Sequence, residues 1–298
     1  MPLAGVVYAL LAYGTWGVLP AYWKLLAAVP AVEVLAYRIL GTALFSASLL
    51  ASLRQLPELR DALRSRRERR ALAASGALIA VNWGVFIWAV GAGRIVETSL
   101  GYYLNPLVNV LLGMLFLGER LSRPQGIAIL LAGAGVGVML VSHGRLPWIA
   151  LVLASSFGLY GLLRKLSPVR PIPALAIETG AVTALALGYL GLAAHPPGGA
   201  LLTGSALERS LLALAGPVTA LPLVWFGSAA RRLRLSTLGL FQYLAPTLTL
   251  LLAVFVYGEP FTRAHAVAFP LIWIGLALYT VDALQFSRAI SSRSSTDH

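Results

Sequence analysis

Cysteine is absent from the 298-residue chain, which rules out disulfides and thiolate metal sites. The four histidines, His143, His195, His265 and His298, stand too far apart in sequence to suggest a ligand cluster, and no metal or other cofactor is expected. Charge is scarce too: Asp, Glu, Lys and Arg make up 11% of the residues, against about 25% in a soluble globular domain. Apolar residues take their place, at 58% of the chain with a mean hydropathy of +0.81. One soluble core of this length cannot hide so much apolar surface, so lipid has to be the solvent. The N-terminal stretch also lacks the basic region that opens a signal peptide and runs straight into a span-length segment, read as an uncleaved first helix. The net charge of +12 would fit nucleic acid only if the basic residues lay together on one solvated domain. They fall instead in short connections between apolar runs, so no nucleic-acid partner is expected.

Reading the apolar runs against charge, Pro and Gly predicts ten membrane helices, at roughly 3–26, 31–53, 71–92, 97–117, 124–142, 147–164, 173–194, 210–230, 236–257 and 264–284. The fold class is therefore an all-α polytopic membrane protein. Between the spans, only the arginine-rich segment 54–70 and the Pro/Gly-rich segment 195–209 are of any length, and the run Arg64 to Arg70 reads as a solvated loop near anionic lipid. Lysine and arginine concentrate on the cytoplasmic side of membrane proteins. With the N-terminus inside, the inner connections gather Arg54, Arg60, Arg64, Arg66, Arg67, Arg69, Arg70, Arg120, Arg123, Arg164, Lys165, Arg170, Arg231, Arg232 and Arg234. The outer side keeps only Lys24, Arg94, Arg145, Arg209 and Arg263, so both termini are expected in the cytoplasm of a bacterial inner-membrane protein.

The chain also repeats itself. Tyr103-Leu104-Asn105-Pro106, Gly118-Glu119 and Arg123 recur at one constant offset as Tyr243-Leu244-Ala245-Pro246, Gly258-Glu259 and Arg263. Trp16-Gly17 with Lys24 recurs, one residue further on, as Phe157-Gly158 with Lys165. Five spans separate the copies, and an odd number turns the second copy upside down, the construction of many secondary transporters. The halves are expected at 1–142 and 143–285, each of five helices, followed by a short cytoplasmic tail, 286–298.

Ionisable or strongly polar groups within a span are costly and usually face the protein interior or water. Arg38, Asn82, Glu97, Asn105, Asn109, Glu178 and Gln242 are such groups. Thr98, Tyr102, Asn105 and Asn109 are spaced to line one helix face; two of their repeat partners, Gln242 and Thr249, are polar. These residues either line a solute path or bond the helices together. Trp83, Trp225 and Tyr243 look too deep for interface anchors, which leaves a pocket wall or core packing. Pro106 and Pro246 each remove a backbone bond within a span and are expected to bend it; Gly118 and Gly258 read as helix ends. Arg38 and Glu178 stand at the repeat offset from each other, but inversion places them at different depths. An outer Arg38–Glu97 contact, and an inner contact of Glu178 with Arg231, Arg232 or Arg234, are expected as gate pairs.

The segments GTWGVLPAYWK (14–24), EVLAYR (33–38), NWGVFIWAV (82–90), ETSLGYYLNPLVNVLLGMLFLGER (97–120) and RLRLSTLGLFQYLAPTLTLLLAVFVYGE (232–259) resemble the RarD permeases, a branch of the EamA, or drug/metabolite transporter, superfamily. The likeness runs over nearly the whole chain. It implies ten helices in two inverted five-helix repeats and a transport role often labelled chloramphenicol-sensitive. Ala245 in place of Asn105 departs from a symmetric polar site. The expected function is thus a secondary transporter that moves a small organic metabolite or drug by alternating access, with a solute, the bilayer and, if transport is coupled, a proton as partners. An intramembrane enzyme or a membrane scaffold is the alternative. The enzyme would need grouped nucleophile, base or metal ligands, and the sequence offers none.

Overall fold

The computed structural model describes residues 3–91, 95–143, 148–193, 199–258 and 261–294, and every regular element among them is helical. In chain order the helices are α1 (Leu3–Lys24), α2 (Ala31–Ser52), α3 (Leu56–Arg64), α4 (Arg66–Gly91), α5 (Ile95–Leu117), α6 (Arg123–His143) and α7 (Trp148–Leu166). There follow α8 (Pro171–Gly188), extended by a π-helical turn over Tyr189–Ala193, then α9 (Ala200–Thr203), α10 (Ala206–Ala230), α11 (Leu235–Phe241), α12 (Leu244–Phe255) and α13 (Arg263–Ser294). Among the described residues, seven helical stretches are long and apolar enough to cross a bilayer; two shorter apolar stretches, Gly101–Leu117 and Arg263–Tyr279, belong to α5 and α13. Large apolar side chains stay on the outside, with Leu192 86%, Val141 82% and Phe255 80% exposed, as lipid allows and water does not.

The arginine-rich segment is largely helical rather than a loop. Ser65 ends α3 and starts α4, its hydroxyl accepting the Glu68 N–H at 3.3 Å, a serine-to-glutamate spacing that marks a helix start. The arginines around it remain exposed. The Pro/Gly-rich segment contains the single turn α9, and Ser205 then opens α10 with a reciprocal capping box to Glu208. The last helix runs on to Ser294, so most of the expected tail is helical.

The two matched prolines behave differently. Helix α5 continues through Pro106, whereas the equivalent stretch breaks at Gln242 and Tyr243, just before Pro246. Proline has no N–H for the Gln242 carbonyl, and the Ala245 N–H takes that carbonyl instead at 3.1 Å, a tighter turn that separates α11 from α12. Gly118 and Gly258, at φ +61° and +67°, both adopt the left-handed conformation that lets a chain leave a helix.

Helix α2 packs against α8 and α10, and α8 also packs against α4. Helix α1 lies on α10 and α12, α7 lies on α4 and α5, α5 meets α11, and α6 pairs with α13. Where α2 crosses α10 the backbones touch: a Cβ added to Gly216 would sit 2.2 Å from the Gly41 carbonyl carbon, so only glycine fits. At the centre of the larger apolar cluster, Tyr160 stacks on Phe226 with ring centroids 5.8 Å apart, and Tyr13, Trp16 and Phe157 pack around them. A second cluster joins α5, α6, α11 and α13 through Tyr103, Leu240, Phe269 and Ile272.

Candidate functional site

Most of the polar residues expected within the spans serve contacts between helices. The Asn82 side-chain amide on α4 donates to the Leu153 carbonyl at 2.9 Å and to Ser156 Oγ at 3.0 Å, both on α7. The Asn105 amide on α5 donates to the Ala154 carbonyl at 2.9 Å. One turn on, Asn109 Nδ2 reaches Asn105 Oδ1 at 3.1 Å and Gln242 Oε1 at 3.0 Å, tying α5 to the break between α11 and α12. Asn109 Oδ1 is buried with no donor. Thr98 is buried on the same stripe, but Tyr102 keeps 38% of its surface accessible. It lies at the edge of the stripe, because four residues overshoot one helical turn by roughly 40°. Tyr243 is fully buried with its hydroxyl unpartnered, Trp225 packs half-buried against the main core, and Thr249 Oγ1 donates to the Gly17 carbonyl at 3.1 Å, fixing α12 to α1.

Arg38 has different surroundings. Its Nε donates to Thr219 Oγ1 on α10 at 3.2 Å, and its guanidinium lies 4.4 Å from the ring centroid of Trp23 and 5.3 Å from that of Trp83. The phenols of Tyr22 and Tyr102 are within electrostatic reach. Arg38 is half-buried, and Tyr102, on α5, keeps its ring partly accessible. The side chain of Glu97, the expected partner of Arg38, lies outside the described residues.

Glu178, by contrast, is sealed. Its carboxylate accepts Ser75 Oγ at 2.5 Å and the Tyr160 hydroxyl at 3.3 Å, and Arg164 Nη1 stands 3.8 Å away. Arg164, Tyr160 and Glu178 are each 1% exposed, and neither Arg164 Nη1 nor Nη2 has a hydrogen-bond acceptor. The expected partners Arg231, Arg232 and Arg234 are not the ones used. Arg232 donates to the Ser228 carbonyl at 2.9 Å, and Arg234 donates to the Arg120 carbonyl at 2.6 Å and pairs with Glu119 at 3.8 Å. Arg164 takes the role because α7 runs to Leu166, which places this residue inside the bundle rather than in a loop.

Glu119, half of the repeated Gly-Glu pair that follows α5, has partners that the repeat did not name. Its carboxylate accepts the Leu235 N–H at 2.7 Å, the Ser236 N–H at 3.0 Å and Ser236 Oγ at 2.5 Å, and so caps the start of α11. Nearby, the Lys165 ammonium donates to the carbonyls of Ala230 and Leu233, closing the C-terminal end of α10 onto α7. Trp23 and Arg164 stand at the same repeat offset as Trp16 and Phe157, and following that offset one step further would have drawn attention to both.

Fold and site together define a multi-pass helical membrane protein that holds ionisable groups inside its bundle. The profile of the EamA-like transporter family matches residues 3–141. An uncharacterized transporter of Bacillus subtilis, YojE, is 44% identical over 292 residues, covering 97% of each chain. Protein RarD of Escherichia coli is 45% identical over 287 residues, covering 96% of this chain and 97% of its own. A crystal structure that is 20% identical superposes with a TM-score of 0.73 over 94% of this chain and 98% of the other, a likeness of fold. The chain belongs to the RarD proteins of the EamA-like transporter family, a group of bacterial multi-pass membrane proteins.

Proposed function

We propose that the protein is a secondary transporter that moves a small organic solute across the bacterial inner membrane by alternating access. Its ten spans form two inverted five-helix halves, 1–142 and 143–285, with both termini in the cytoplasm. The helix pairings support this reading because the main contacts between the halves have counterparts after their exchange. The contact of α1 with α10 answers that of α4 with α7, α2 with α10 answers α8 with α4, and α1 with α12 answers α7 with α5. The observation that carries the reading is the contrast between Arg38 and Glu178. They stand at the repeat offset, one half-buried beside accessible aromatic rings and the other in a sealed ion pair. A carrier that is open on one side and shut on the other presents that contrast. Tyr102, Trp23 and Trp83 then border the solute site, while Asn105, Asn109 and Gln242 form the floor that holds α5 against α7 and α11.

Proteoliposomes loaded with a mixed metabolite extract test the transport reading. The protein should release a subset of small organic solutes faster than protein-free vesicles do, and Trp83→Ala should slow that release. An unchanged release profile across all solutes would remove the transport assignment. Orientation is tested separately in the cysteine-free chain. A cysteine replacing Ser205 should react with an impermeant thiol reagent in intact cells, and one replacing Ser65 should be shielded; the reverse pattern would turn the topology over.

A further inference from the structure

Arginine carries five N–H donors, and among the described residues only Nε of Arg38 is taken up, by Thr219 Oγ1. The indole rings of Trp23 and Trp83 lie beneath the guanidinium carbon and offset part of the cost of holding a cation within a span. Among the described residues the Nη atoms have no protein acceptor. Among the described residues no carboxylate comes within ion-pair distance of Arg38. Glu33, in the preceding turns of α2, is taken up by the backbone N–H of Ala200, and Glu178 is held by Ser75, Tyr160 and Arg164.

The Nη edge presents two parallel N–H groups, a geometry that the two oxygens of one carboxylate match. Around it the accessible surface is aromatic. Tyr22 and Trp23 are half-buried, Tyr102 is 38% accessible, and Phe86 backs Tyr102 with ring centroids 5.9 Å apart. Lys24, next to Trp23 at the end of α1, lies over the Tyr257 ring at 3.5 Å.

We propose that Arg38 and this aromatic wall bind an aromatic monocarboxylate, with its carboxylate on the Nη edge and its ring against Tyr102 and Trp23. A neutral aromatic would leave the guanidinium without a counter-charge, and an aliphatic acid would leave the rings without a partner. The proposal deepens the transport reading by naming the solute class, and it can be tested by binding without flux.

The test titrates the intrinsic tryptophan fluorescence of the full chain, in nanodiscs of zwitterionic lipid at neutral pH, with benzoate, benzamide and acetate. Benzoate should bind at least about tenfold more tightly than either of the others. Because that comparison uses the unaltered protein, it does not depend on how any variant folds. Arg38→Gln, checked for native helicity by circular dichroism, should erase the preference, and Arg38→Lys, which keeps charge but not the paired donors, should retain part of it. Benzamide binding as tightly as benzoate, or a preference that survives Arg38→Gln, overturns the proposal. In nanodiscs containing phosphatidylglycerol the benzoate affinity should change by less than about threefold; its loss there would assign the Nη edge to a lipid headgroup and also overturn the proposal. Vesicle transport of other solutes without a benzoate preference would sink this site and leave the transport reading standing. Saturable benzoate binding with no flux of any solute would do the opposite.

Discussion

Arg38 and Glu178 stand at matching positions of one repeated pattern, and the protein surrounds them in opposite ways. Each touches the residue that the repeat brings beside it, Trp23 for Arg38 and Arg164 for Glu178. Each also bonds a hydroxyl on a neighbouring helix, Thr219 on α10 for Arg38 and Ser75 on α4 for Glu178. Only the chemistry differs: a cation against an indole stays accessible, while a cation against an anion is shut away from water. One helix arrangement therefore carries a partly accessible cation at one place and a sealed ion pair at the other, and the difference rests on a few side chains.

The largest test of that contrast is Arg164→Leu. It strands the Glu178 carboxylate in an apolar interior, and breaking a buried pair in this way costs about 3–5 kcal/mol. Thermal unfolding in detergent should register that loss, whereas Arg38→Leu, which strands no buried anion among the described residues, should fall within about 1 kcal/mol of the unaltered protein. Equal losses would dissolve the comparison. Next comes the sealed side's helix cap. Glu119→Ala frees the N–H groups of Leu235 and Ser236 and should cost about 1–2 kcal/mol in the same measurement. No change would mean that water caps α11 equally well. The smallest effect is expected from Asn105→Leu, which removes one interhelical bond to α7, at about 0.6 kcal/mol by unfolding in mixed micelles. A loss of solute release far beyond that stability change would move Asn105 from the scaffold into the solute path.

The positions of the apolar helices were legible because lipid demands long apolar runs, and the repeat could be read from Tyr, Pro, Gly and Glu recurring in register. Side-chain partners were harder. Thr98, Asn105 and Asn109 follow the face expected from spacing, but spacing does not say what faces them, and α7 offers backbone carbonyls to Asn82 and Asn105. Arg164 was read as a loop charge because it lies next to Lys165 at the end of an apolar run. Only the packing of α7 against α4 and α5, with α8 bringing Glu178 alongside, distinguishes a buried arginine from a solvated one. The helical start at Arg66 could have been read from Ser65 and Glu68, had the arginine density not drawn the eye first. Matched prolines suggested matched bends, yet the chain breaks before Pro246 and runs on through Pro106, a difference that depends on which neighbouring carbonyls find another donor.

The glycine crossing of α2 and α10 sets how these helices can move. Gly41 lies near the middle of α2, ten residues from Ala31 and eleven from Ser52, and the two backbones meet there directly, with Thr42 Oγ1 donating to the Gly216 carbonyl at 3.4 Å beside them. Sliding would drive one backbone into the other, so the freedom that remains is a tilt about that point. At 1.5 Å per residue each arm of α2 is roughly 15 Å long, and a tilt of about 10° swings its two ends by roughly 2.5 Å in opposite directions. In the transport reading proposed above, the crossing would be a fulcrum set one helical turn from Arg38, where a small rock widens one mouth of the bundle as it narrows the other.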